Sequence, residues 1–298
     1  MGRGNGSLYD DVTQHIIAQL EERRLPWLQP WDTSLTATGL PRNAATGRCY
    51  SGINILILWD RLFERGFGAQ RWITYRQAQA LGGNVRKGEA GTTVCYADRF
   101  TPKDEQQKAC DEQREARQVA FLKRFTLFNV EQCEGLPEEL MTTAEPRPFE
   151  ELVPQAHRLI RACGADIRVG GESAFYAPSP DYIRVPDQAA FHEPINWYRT
   201  ILHELGHWTG HASRLDRLTG ANFGSDDYAR EELCAEMASA FLCAELGIVP
   251  TVRHADYIGG WLEVLREDNR AIFRAASQAS KAAHYLLDFL PEQGSDHD

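Results

Sequence analysis

The segment WYRTILHELGHWTGH places His203, Glu204, Leu205, Gly206 and His207 in the HExxH spacing. Residues four apart on a helix share a face, so both imidazoles can meet one cation, and the intervening glutamate falls where hydrolysis needs a general base. At 100° per residue, Trp197, Ile201, Leu205 and Trp208 lie within a narrow arc and the two histidines point the other way. The expectation is a helix that buries one apolar face and presents its histidines to a cleft. The plain alternative is a solvated polar face.

An acidic pair downstream favours the metal reading. In YAREELCAEMASAFLCAEL, the stretch from Leu233 to Leu246 carries only Glu236 and Glu245 as charges, so this helix is expected to be largely buried. A buried carboxylate is costly unless it is paired or bound to metal, and Glu232 and Glu236, at i,i+4, can meet the histidine helix together. The pattern resembles zincins of the gluzincin type, in which an E-x-x-x-D/E pair supplies first the third ligand and then a hydrogen bond to a ligating histidine. The resemblance implies Glu232 as ligand and Glu236 as its support, and the reverse assignment stays open. The other zincin branch, HExxHxxGxxH, matches at Gly210 but has Ser213 where its third histidine belongs, and His211 is offset by two.

Two imidazoles and one carboxylate leave a fourth position open, as catalytic zinc sites do, so Zn²⁺ is the expected ion, with another divalent metal such as Mn²⁺ as the alternative. Glu204 would then take a proton from water and pass it to a leaving amine. Tyr228, His254 and Tyr285 are the polar candidates for an oxyanion stabiliser, each with a structural role as its plainer reading. AFYAPSPDYIRVP could supply the edge strand on which an extended peptide aligns.

Several elements must position these groups. Ser7 with Asp10 resembles a capping box opening an amphipathic helix with Val12, Ile16 and Leu20 on one face, ending before Pro26. INILILWDRLF, between Gly52 and Gly66, suits a buried helix, and Thr74 is placed to cap a short helix that ends at Gly82 and Gly83. VRKGEAGTTVCYADRF and VAFLKRFTLFNV read as strands joined by a charged connector. The second half reads as a helix near Gln155–Cys163, short strands at Asp166–Val169 and Asp181–Val185, and three helical stretches to Leu290.

Charge is unevenly distributed along the 298 residues, whose formal net charge is −10. Residues 1–130 hold 18 Lys and Arg against 14 Asp and Glu, which leaves 14 against 28 for the rest. Two domains with different partners fit this asymmetry. The Pro-, Glu- and Thr-rich stretch after Glu134 marks the boundary, giving 1–135 as one domain, 136–150 as a linker and 151–298 as the second. The fold class expected is α+β: a mixed α/β N-terminal domain and a mostly helical C-terminal domain with a small sheet. Seven scattered cysteines without a CxxC pair point to reduced thiols. A polar N-terminus and a longest apolar run of only Ile53–Trp59 point to the cytoplasm, with no membrane partner.

The ordered set PWLQPW, NAATGRCYSGINILIL, WITYRQAQALGGNVRKGEAGT, FNVEQCEGL, HELGHWTGHASRLDR and YAREELCAEMASAFL resembles the ArdC-type antirestriction proteins of conjugative plasmids, whose N-terminal domain also occurs in TraC-type plasmid primases. The resemblance implies a single-stranded-DNA-binding domain joined to a zincin-like metallopeptidase domain, protecting incoming plasmid DNA from host restriction endonucleases; double-stranded DNA is a further candidate partner. Trp27, Trp31, Tyr50, Trp72 and Tyr75 are candidate stacking platforms close in sequence to Arg42, Arg48, Asn54, Arg71, Arg86 and Lys87. The plainer reading makes about half of these aromatics core, as Trp59 must be. In GGNVRKGEAGT, glycines would let backbone N–H groups approach phosphates beside Arg86 and Lys87, against a simple hairpin turn. Two other functions compete: a DNA-associated protease that cleaves a protein partner, and a metal-stabilised domain without peptidase activity.

Overall fold

The computed structural model describes residues 8–28, 39–100, 105, 119–141, 149–218, 225–249 and 257–291. The chain forms two compact units: Met1–Arg42, Cys49–Gln70 and Thr143–Asp298 make the first, and Asn43–Arg48 with Arg71–Thr142 the second. This spatial division cuts across the linear one of 1–135 and 151–298. The reason lies in two helices, α1 (Leu8–Glu21) and α2 (Ile53–Arg65), whose apolar faces are satisfied by the distant C-terminal segment.

The first unit adds α5 (Phe149–Ala162), α6 (Pro194–Trp208), α7 (Asp226–Leu246), α8 (Ile258–Glu267) and α9 (Ala271–Leu287). Its core joins both ends of the sequence. Trp27 packs edge-on to Trp261 at 5.4 Å between ring centroids, and Trp59 does the same to Phe241 at 5.7 Å. Polar contacts fix the register: Thr13 Oγ1 donates to the Asn269 carbonyl at 2.6 Å, and Ser280 Oγ accepts from Gly52 N at 2.8 Å. Four helices follow the last strand where three were expected. The extra break falls at Asp268, whose extended backbone ends α8 and whose carboxylate accepts from Arg270 N at 2.9 Å.

The small sheet of this unit has the order β7 (Asp166–Val169), β9 (Tyr182–Val185), β8 (Phe175–Ala177); β7 runs parallel to β9 and β8 antiparallel to it. β8 is therefore an edge, as AFYAPSPDYIRVP led us to expect. Helix α6 is not the two-faced helix that its periodicity implied. It is buried nearly all round, with His203 4% and Glu204 6% exposed alongside Ile201, Leu202 and Leu205. Gly206 permits this close crossing, since a Cβ there would lie 3.3 Å from the Ala235 backbone on α7.

The second unit is built on a sheet of order β1 (Arg42–Asn43), β2 (Arg71–Ile73), β5 (Val119–Asn129), β4 (Thr92–Phe100). Beside it lie α3 (Tyr75–Ala80), the two-residue strands β3 (Asn84–Val85) and β6 (Cys133–Glu134), and the short helix α4 (Glu138–Met141). Thr74 caps α3 as expected, through a reciprocal capping box with Gln77. The strand expected to start at Val85 is split: β3 pairs with β6, a turn follows, and β4 begins at Thr92. The six described cysteines are free thiols. Among the described residues no helix is long and apolar enough to cross a membrane.

Because Trp27 is 0% exposed and seated against Trp261, Trp27→Ala is expected to destabilise the protein by about 3–5 kcal/mol. Urea unfolding followed by far-UV circular dichroism measures this. A variant of native stability would contradict the packing described.

Candidate metal centre

Helices α6 and α7 cross so that three donors converge. The two Nε2 atoms of His203 and His207 approach to 3.2 Å, with the rings edge-to-face at 4.8 Å between centroids. Glu232 on α7 faces both, with Oε2 3.6 Å from His203 Nε2 and Oε1 3.5 Å from His207 Nε2. One ligand atom from each residue lies within 4.8 Å of the others. The i,i+4 spacing stacks the imidazoles, and burial on α7 aims the carboxylate at them.

Each imidazole has a second acidic neighbour. His203 Nδ1 stands 4.0 Å from Glu236 Oε1, one helical turn beyond Glu232. His207 Nδ1 donates to Glu231 Oε1 at 3.1 Å, a residue the sequence reading passed over. Glu231 is itself gripped by Arg217, which donates from Nε to Oε2 at 2.8 Å and from Nη2 to Oε1 at 2.9 Å. The same guanidinium donates to the Gly206 carbonyl at 2.6 Å and to Thr209 Oγ1 at 3.1 Å, binding the loop after α6 to both helices. A carboxylate that holds one ring nitrogen fixes the tautomer and leaves the other nitrogen free to ligate. No spacing rule joins Arg217 to Glu231 fourteen residues on, so only the fold reveals this pair.

The electrostatics show what the donors require. Burial disfavours a charged His207, yet the hydrogen bonds it donates to Glu231 and Glu232, with the charge of both, overcome it and push the imidazole up to about 10. Burial would raise Glu232, but hydrogen bonds and charge from His203 and His207 hold it well below the usual carboxylate range. Glu231 is lowered against its own burial by Arg217 and His207. A nearly buried cluster holding Glu204, Glu231, Glu232 and Glu236 calls for positive charge at its centre. A divalent cation fits that demand and this donor set.

The donors open on a cleft of ≈ 860 Å³, lined by Glu204 and, on one wall, by Phe175 and Tyr176 of the edge strand β8. That wall is fixed by a second clamp. Tyr176 OH donates to Asp181 Oδ1 at 2.7 Å, Arg214 Nη1 donates to Asp181 Oδ2 at 3.0 Å, and the Arg214 guanidinium lies 3.9 Å over the Trp208 ring. Across the cleft, Tyr228 and Tyr257 join their hydroxyls at 3.1 Å. Burial, together with the Tyr257 hydrogen bond and the Glu232 charge, pushes the Tyr228 phenol well above its ordinary value, so it stays a donor. Tyr285 packs on Trp208 and Phe289 and lies outside the cleft lining; His254 lies outside the described residues. His211 reaches the cleft, but its Nδ1 pairs with Ser213 Oγ at 2.8 Å.

The candidate nucleic-acid residues are dispersed differently from expectation. Trp27 and Trp72 are 0% exposed, so neither ring offers a face to a base, and both are corrected to core. Trp31 lies outside the described residues. Tyr50 and Asn54 are half-buried; Arg48, Tyr75 and Lys87 are exposed. Arg42 pairs with Glu245, and Arg71 donates to the Glu139 carbonyl. Arg86 donates to the Glu131 carbonyl at 2.5 Å and to Glu89 at 3.2 Å, which ties the loop down. Two of that loop's glycines answer to packing, since a Cβ on Gly83 or Gly91 would collide with Leu136 or Thr126.

Comparison with known proteins agrees with this geometry. Residues 6–128 match the model for the N-terminal domain of the anti-restriction factor ArdC, and residues 154–278 match that for a zincin-like metallopeptidase. A DNA primase TraC of Escherichia coli is 40% identical over 301 residues, covering 96% of this chain but 27% of the primase, so the chain spans about a quarter of that relative. The protein y4eC of Sinorhizobium fredii (strain NBRC 101917 / NGR234) is 39% identical, with 94% of this chain and 91% of that one covered. The metal-free crystal structure of the antirestriction ArdC protein from plasmid R388 superposes with a TM-score of 0.80 at 39% identity, covering 95% of this chain and 98% of that one. The same protein has a Mn(II)-bound structure, with a TM-score of 0.79 at 38% identity, covering 97% and 100% of the two chains. This chain belongs to the ArdC family of antirestriction proteins, with an ArdC N-terminal domain and a zincin-like metallopeptidase domain.

Proposed function

We propose that this protein binds single-stranded DNA in the cytoplasm and shields incoming plasmid DNA from restriction endonucleases during conjugation. In the same reading its zincin-like domain holds Zn²⁺ at His203, His207 and Glu232. The observation that carries the metal half is the convergence of those three donors within 4.8 Å, surrounded by further carboxylates. The DNA half is supported by the family, by the R388 protein's near-complete structural match and by the excess of basic residues in 1–130.

A divalent metal at this site supplies a Lewis acid that polarises a carbonyl and acidifies water. The chain's own groups supply the rest. Glu204, on the cleft wall, accepts a proton at its carboxylate and returns it to a leaving amine. Tyr228, kept protonated on the cleft lining, would turn its one O–H from its present partners toward a developing oxyanion, and edge strand β8 offers backbone groups to an extended peptide. Glu231 and Arg217 hold His207 in place. The cleft and its edge strand also favour the second reading, a protease acting on a DNA-associated protein partner.

Replacing Glu204 by Ala separates the two. Under the shielding reading the variant retains its metal, binds a single-stranded oligonucleotide with native salt dependence and still protects a plasmid transferred into a restricting recipient; loss of protection alone assigns the effect to proteolysis. A native protein that fails to bind the oligonucleotide at low salt overturns the shielding reading.

Glu231→Gln is expected to weaken zinc or manganese binding about 10–100-fold, read by competition with a chelating dye; unchanged affinity would remove Glu231 from the site. Metal must also displace the proton that His207 holds up to about 10, above its ordinary value of 6.5. A raised histidine stabilises the metal-free fold fully below pH 6.5, and that contribution is lost as pH climbs through 10. Metal affinity is therefore expected to rise from pH 6 to pH 9, with about one proton released per ion at neutral pH. Calorimetry in buffers of differing ionisation enthalpy measures the release.

A further inference from the structure

The second unit displays an aromatic pair that packing leaves exposed. β4 pairs antiparallel with β5 along its whole length, against Val119–Leu127, whereas β2 meets β5 only at Phe128 and Asn129. Positions 92–96 and 123–127 therefore form a two-stranded ribbon. Cross-strand partners share a face, so the pairs Val94↔Phe125 and Tyr96↔Lys123 place Phe125, Tyr96 and Lys123 on one side of it. Along this face burial gives way to exposure. Thr92, Val94 and Leu127 are buried, whereas Phe125 is 45% and Tyr96 49% exposed and Lys123 is exposed beside them. The reverse side carries Thr93, Thr126 and Arg124, which are exposed, and Cys95, which is buried.

We propose that this ribbon face is a stacking surface for single-stranded nucleic acid, with Tyr96 and Phe125 receiving bases and Lys123, on the same side, meeting the backbone. The two rings stand edge-to-face, 5.9 Å apart at 89°, so the ring that presents its edge to its partner keeps a face for a base. In positions 92–96 and 123–127 the only charged residues are Lys123 and Arg124, within a chain of net charge −10. This local positive sign complements a phosphate backbone. A duplex hides its base faces within its own stack, whereas a single strand offers them, so exposed rings next to cations select the single strand. The surface rests on the nucleic-acid reading given above and replaces Trp27 and Trp72, which are core. A second copy docking on edge strand β4 is the competing occupant.

The test uses the full chain and a fluorescein-labelled oligothymidine about 20 nucleotides long, followed by anisotropy. Tyr96→Ser/Phe125→Ser is expected to weaken binding at least about tenfold, and Tyr96→Phe to bind as the native protein does. Lys123→Ala is expected to lower the slope of log affinity against log salt by about 0.7. Far-UV circular dichroism and urea unfolding of all variants should match the native protein and so report an intact fold. If the native chain binds and the double variant binds equally well, the ribbon is overturned and the DNA reading stands. If the native chain does not bind, both fall. A double variant that keeps its DNA affinity but elutes as a smaller species identifies a self-association face and also overturns the proposal.

Discussion

Everything in the first unit's interior answers to an excess of negative charge where α6 and α7 cross. Glu204, Glu231, Glu232 and Glu236 gather around two imidazoles at the floor of the cleft, and Arg217 supplies a counter-charge to Glu231. A carboxylate buried without partners would carry a penalty of several kcal/mol, comparable with the net stability of a domain. The arrangement persists because three of the four acids have an assigned neighbour: Arg217 for Glu231, the histidines for Glu232, and the His203 ring beside Glu236. The surrounding packing is fitted to this crossing, and Gly206 lets the helices approach closely enough for Glu232 to span both rings.

Much of this centre was legible in the sequence because its signals are local. HExxH puts two imidazoles on one helical stripe, and the charge-poor run after Glu232 marked a buried helix. The i,i+4 relation then placed Glu236 one turn beyond Glu232, beside His203. What escaped is long-range or adjacent-but-rotated. Glu231 neighbours Glu232 in sequence, but it points about 100° away and meets the opposite side of His207. Arg217 sits in a loop whose path no periodicity describes. The all-round burial of α6 likewise comes from what surrounds it, which an arc of apolar residues cannot count.

The second unit shows the limits of composition more clearly. Aromatic residues interleaved with arginines describe a nucleic-acid surface and a small hydrophobic core equally well. Trp72 went to the core, whereas Tyr96 and Phe125, inside ordinary alternating strands, came to the surface. Exposure is set by which strand lies alongside, and the pairing of β5 with β2 is confined to the last two residues of β5. Arg86, attractive for its glycine-flanked setting, proved to fasten its own loop to two backbone carbonyls and Glu89.

The division of the chain has a consequence for how the molecule comes into being. A ribosome releases α1 and α2 early, yet the surfaces that cover Trp27 and Trp59 belong to Trp261 and Phe241, more than 180 residues later. During synthesis these apolar helices must wait, shielded by chaperones or by loose collapse, until the last part of the chain emerges. The second unit, whose strands all lie between Arg42 and Glu134, can meanwhile assemble by itself. Vectorial folding thus begins with the second unit and finishes when Phe241 and Trp261 reach Trp59 and Trp27.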